Sequence, residues 1–223
     1  MKITPYVLIT FGLTVLSAAI GAWAYTRLPD GAVVAIHWDL HGQANGFARK
    51  GAGLALNLAL LPLVTGLLAA LLLVLPRLSR FGPALDKASG ARGVAMVGVA
   101  AVMLVVQAMI AAQSAGVALD VPRVIAGATG ALFVALGNVL GKVRRNEFFG
   151  VRTPWTLADS AVWDKTQRFA GRLMVVAGLL LVATSLLVAI NEVLFGAILL
   201  SALGPAVAAA VYSWAIFPKA DRV

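Results

Sequence analysis

Six stretches of this chain contain no Asp, Glu, Lys or Arg, and they constrain its fold more than any motif does. They cover residues 3–26, 51–75, 93–119, 124–141, 173–191 and 193–218. A helix crossing a hydrocarbon core about 30 Å thick needs about 20 mostly apolar residues, and each stretch is long enough. Only Glu192 separates the last two. The final pair must therefore form a tight hairpin with that carboxylate at its tip. The composition agrees, because 12% of the residues are charged where a soluble domain carries about a quarter. No segment is left to build a separate water-soluble core.

The basic residues orient the spans. Of 18 Lys and Arg, 14 fall in one set of alternating segments: Lys2; Arg77, Arg80, Lys87 and Arg92; seven between Lys142 and Arg172; Lys219 and Arg222. The opposite set holds Arg27, Arg49, Lys50 and Arg123. Positive charge accumulates on the cytoplasmic side of short loops. The sequence thus predicts an all-α integral membrane protein of six helices with both termini in the cytoplasm. It would carry one extracytoplasmic loop at 27–50 and a basic amphipathic cytoplasmic segment between the fourth and fifth helices. This bias accounts for the formal net charge of +9 without nucleic-acid binding. Ala22-Trp23-Ala24 resembles a signal-peptidase site, but the apolar run before it is longer than a signal h-region, so a retained span is expected.

The spans carry no charged residue at depth, which disfavours a proton-coupled pump. Residues such as Gln107 and Asn138 are expected to bond across helices. In the fourth span Gly127, Gly130, Gly137 and Gly141 share one narrow arc at about 100° per residue. That face should pack closely on another helix, with the Asn138 amide bonded across the contact.

In the outer loop Pro29-Asp30-Gly31 signals a turn. Val33 to Trp38 suits a short extended piece, which Gly42 and Gly46 should break. His37, Asp39 and His41 alternate, so on a strand all three would share a face and could hold a divalent metal. Equally, His37 and Trp38 could lie at the membrane interface or contact an extracellular ligand. In the inner loop Pro154 biases Thr153 to an extended conformation, and Thr156 with Asp159 suggests a helix start near Leu157. Asp164 and Arg168 are spaced to pair. Phe148, Phe149, Trp155 and Trp163, interleaved with basic residues, look like a segment lying on an anionic leaflet. Arg152 has two readings, a phosphate-facing anchor or a forked donor that clamps the loop near Asn138 or Asn146.

Asn146-x-x-x-Gly150-x-Arg152-Thr153-Pro154-Trp155-Thr156-Leu157, preceded by Gly137-Asn138 and followed by Trp163 and Gly171, resembles the signature of the SdpI immunity-protein family. Leu28-Pro29, Ile36-His37-Trp38, Gly42, Gly46 and Lys50 are similar to the small membrane domain often found at the N-terminus of such proteins; His41 departs from that pattern. The resemblance implies an N-terminal membrane domain at 1–75 and an SdpI-like membrane domain at 76–223. It implies a non-enzymatic bacterial inner-membrane protein, without a cofactor, that protects against a secreted toxic peptide. In its best-known members it also implies holding a cytoplasmic transcriptional repressor at the membrane. The residues marked for ligand or partner binding are then His37 and Trp38 outside, and Asn138, Asn146, Gly150, Arg152, Thr153, Pro154 and Trp155 inside. The competing classes are a membrane enzyme or metal protein built on His37, Asp39 and His41, and a small-molecule exporter. The chain has no cysteine, and G-x-S-x-G, H-E-x-x-H and P-loop motifs are also missing.

Overall fold

The computed structural model describes residues 5–74, 89–146 and 149–218. Lys2, Arg77, Arg80, Lys87, Phe148, Lys219 and Arg222, used above for orientation and for the inner loop, lie outside the described residues. Six helices are long and apolar enough to cross a membrane. They are α1 (Pro5–Arg27), α2 (Ala52–Val74), α3 (Ser89–Ser114), α4 (Val121–Leu140), α6 (Ser160–Leu187) and α7 (Asn191–Ile216). A five-residue helix, α5 (Pro154–Ala158), precedes α6. Large apolar side chains such as Phe11, Leu63, Leu180, Leu187 and Leu200 face outward, as expected where the surrounding solvent is lipid.

Helix boundaries follow local chemistry. Helix α4 begins at Val121 because the Asp120 carboxylate accepts the Arg123 N–H and Pro122 suits the first turn. Asp159 caps α6 by accepting the N–H groups of Ala161 and Val162. The helix start expected at Thr156 is thus divided in two, with Thr153 capping α5 and Asp159 capping α6. Three residues join α6 to α7, and Glu192 sits in the first turn of α7.

The glycine arc of α4 packs on α6 as anticipated, through a matching pair seven residues apart. A Cβ at Gly130 would lie 2.8 Å from the Gly178 carbonyl oxygen, and one at Gly137 would lie 2.6 Å from that of Gly171. Cβ atoms on Gly178 and Gly171 would meet the reciprocal carbonyls. Without side chains there, the two backbones approach closely, the main source of helix affinity in lipid. Asn138 takes no part. It is exposed and donates to the Val134 carbonyl of its own helix at 2.9 Å, because the bare glycine seam leaves no space for an amide to cross.

The outer segment folds into a two-stranded antiparallel sheet, β1 (Val33–Trp38) and β2 (Ala44–Arg49). Strand β1 matches the extended piece read from the sequence. Gly46 does not break it: it lies within β2 opposite His37, at an irregularity in the pairing, where a Cβ would come within 2.7 Å of the His37 Cβ. Val34 and Ala48 face inward with Leu54, Leu58 and Ile110, and Ile36 and Trp38 pack on that cluster. The hairpin therefore caps the ends of α2 and α3. Lys50 ties its base, donating to the Leu28 carbonyl at 2.6 Å and to Asp30 at 3.1 Å.

Candidate functional site

The two ends of the bundle carry different constructions. At the hairpin end the β1–β2 turn is organised by Asp39, whose Oδ1 accepts the N–H groups of His41 and Gln43, each at 2.9 Å. Gly42, with φ +75°, completes a turn that a side chain would strain. The turn then reaches the far end of the sequence. His41 Nδ1 donates to Glu192 at 2.6 Å, and Asn191 donates to the His41 carbonyl at 2.6 Å. Behind this junction lies a cavity of about 310 Å³. Its walls are Ile36, Trp38 and Leu40 of the hairpin, Val106 and Met109 of α3, and Phe195 and Ile198 of α7, with His37, Asp39 and Asn191 among its polar members. It is an apolar pocket with a few polar groups, the usual form of a ligand site.

The three proposed metal ligands are not brought together. The strand ends at Trp38, so Asp39 and His41 belong to the turn and do not continue the face of His37. His37 pairs with Asn45 at 2.6 Å, Asp39 is engaged by backbone N–H groups and His41 by Glu192. Among the described residues no group of three His, Asp or Glu side chains is placed to hold a metal ion.

At the other end the signature segment is bonded largely to itself. Asn146 closes a loop by donating to the carbonyls of Arg144 and Phe149 and accepting the Phe149 N–H at 2.8 Å. Gln167 of α6, fully buried, pairs with Val151 as a strand would: its Oε1 accepts the N–H at 2.9 Å and its Nε2 donates to the carbonyl at 3.0 Å. Gly150 adopts φ +109°, and a Cβ there would lie 2.7 Å from Gln167 Oε1. Position 150 is therefore closed to a side chain twice over. Thr153 and Thr156 form a reciprocal capping box around α5, and the Thr153 hydroxyl meets that of Ser213 on α7 at 2.9 Å. Arg145 donates to the carbonyls at the end of α5.

Trp163 was expected at the membrane surface; it is fully buried, and its indole N–H donates to the Val143 carbonyl at 2.8 Å. It packs with Ala91, Val143 and Phe149. The expected Asp164–Arg168 pair is not among the ion pairs of the described residues, which include His41–Glu192, Lys50–Asp30 and Arg123–Asp120. Arg152, Pro154 and Leu157 are exposed and Trp155 is half-buried, whereas Asn146 and Thr156 are buried within the motif. The sequence reading missed Gln167, Ser213 and Asn191. Gln167 was legible only as one uncharged amide among charged neighbours, and its partner lies 16 residues away.

Residues 142–218 match the SdpI/YfhL protein family, and residues 12–65 match the domain of unknown function DUF1648. A stretch of 72 residues is 33% identical to "Immunity protein SdpI" of Bacillus subtilis (strain 168), covering 32% of this chain and 35% of that relative. The match thus spans about a third of the relative's length. No solved structure matches the chain. The six apolar helices and these matches together make it a multi-pass protein of the bacterial cell membrane. Its C-terminal third matches the SdpI/YfhL protein family and stands behind a segment that matches DUF1648.

Proposed function

We propose that this chain is a non-enzymatic immunity receptor. It engages a secreted, membrane-active toxic peptide at the hairpin end and presents a cytoplasmic surface, suited to a transcriptional repressor, at the signature end. The Lys/Arg bias puts the hairpin outside and both termini inside. The division into 1–75 and 76–223 gives the pocket its meaning, since the hairpin comes from the first unit and α3, α4 and α7 from the second.

One observation carries the reading. The apolar pocket at the hairpin end has walls from both units, and the His41–Glu192 and Asn191–His41 contacts join those units beside it. A peptide that partitions into the outer leaflet would meet it at interface depth. His37 and Trp38 line the wall it would touch. Inside, Arg152, Pro154 and Trp155 supply the outward face, while Asn146, Gly150 and Thr153 hold it in shape.

The test is a protection assay with the secreted peptide. His37→Ala with Trp38→Ala should lose protection while the protein remains inserted at normal levels; full protection by that pair of substitutions would defeat the reading. Reporter fusions after Lys50, Asp120 and Glu192 should report outside, and those after Asp86, Asp159 and Arg222 inside.

A further inference from the structure

A second cavity, of about 320 Å³, lies at the signature end. It is lined by one face each of α3, α4, α6 and α7, represented by Ala91, Leu140, Met174 and Ala206, and by the signature at Gly150 and Val151. The lining is almost wholly apolar. The N–H of Val151 is taken by Gln167 and its carbonyl by Gln167 and Thr156, so Val151 presents a wall whose hydrogen bonds are already made. Such a wall suits an extended hydrocarbon chain, which asks for no hydrogen bond.

The rim supplies the other half of the ligand. Ala91, Val143 and Val151 line the cavity from three separate segments, and each is a chain neighbour of a basic residue: Arg92; Lys142 and Arg144; and Arg152. Lys142, Arg144 and Arg152 are exposed. An apolar cavity whose lining residues adjoin exposed cations in the chain matches an amphiphile with a hydrocarbon tail and an anionic head.

We propose that this cavity is a binding site for the acyl chain of an anionic phospholipid, whose headgroup lies against the basic rim. The tail packs against the side of Val151 that faces away from Gln167. Occupancy thereby supports the loop that carries Arg152 and Trp155, making anionic lipid a structural partner of the signature.

The experiment uses the full chain in nanodiscs of phosphatidylglycerol and phosphatidylcholine in equal amounts, extracted in mild detergent, with retained lipid counted by native mass spectrometry. The unaltered chain should keep phosphatidylglycerol preferentially. Lys142→Gln and Arg144→Gln should each lower that preference about fivefold. Ala202→Leu with Ala206→Leu, which fills the cavity from two exposed wall positions, should abolish retention without changing the melting temperature. Equal retention of the two lipids by the unaltered chain, or retention that survives the leucine pair, would overturn the proposal. A second readout does not depend on how the leucine pair folds. Trp163 packs on Val143 at the cavity wall, so phosphatidylglycerol brominated in its acyl chains should quench its fluorescence when the other four tryptophans are Phe. An unquenched Trp163 would count equally against the site.

Discussion

The hairpin end and the signature end both carry polar side chains but use them differently. At the signature end Asn146, Thr156, Trp163 and Gln167 are buried and satisfied within some 20 residues of one another in sequence. At the hairpin end His41, Asn191 and Glu192 are joined across 150 residues and remain exposed or nearly so. Buried hydrogen bonds are costly to break because the orphaned group cannot reach water, while exposed pairs contribute little to stability. Residue identity at the first end thus serves to hold a shape, and at the second to make a contact that can open without unfolding the bundle.

Substitutions should separate the two ends, and the largest effect is expected at Trp163. Trp163→Ala removes a fully buried ring and its bond to Val143, and should cost about 3–5 kcal/mol, visible as a large drop in melting temperature in detergent. Gln167→Leu comes next. It preserves volume but leaves the Val151 N–H without a partner and the Val151 carbonyl with only the Thr156 hydroxyl, at a cost of about 1–3 kcal/mol. Thr153→Val should cost about 1 kcal/mol through the lost cap of α5 and the lost contact with Ser213. The smallest stability effect belongs to the hairpin end. His41→Ala and Glu192→Gln should leave the melting temperature unchanged while altering protection against the peptide. If Glu192→Gln melts as low as Gln167→Leu, the contrast between the ends fails.

Arg152 sharpens the same comparison. Gln167 clamps the loop through Val151, while Arg152 is exposed on the outward face. Arg152→Lys should therefore fold like the parent chain. If the proposed recruitment of a repressor exists, its loss in that variant, measured by co-purification, would identify the planar guanidinium as the group recognised.

The spanning helices were legible in the sequence because the bilayer imposes a length and a charge rule on every candidate, and both can be counted along the chain. The glycine arc of α4 was legible for a related reason: helical periodicity places residues three, four and seven apart on one face whatever that face meets. Strand β1 was legible too, from its β-branched and aromatic composition. Strand β2 was not, because Ala44-Asn45-Gly46 carries turn-forming residues that only pairing with β1 holds extended.

Tertiary structure alone decided the partners. Periodicity gives Gln167 a helix face but cannot say that a loop carbonyl and N–H wait there. Spacing likewise puts Glu192 at a hairpin tip without revealing His41 opposite. Trp163 shows the limit most clearly: by composition it suits a membrane surface, yet the break between α5 and α6 turns it inward onto Val143. Local sequence sets what each segment can form, because helix length, caps and turns are short-range. Hydrogen bonds across the bundle depend on how six helices pack, and that is settled by the α4–α6 glycine seam and its neighbours together.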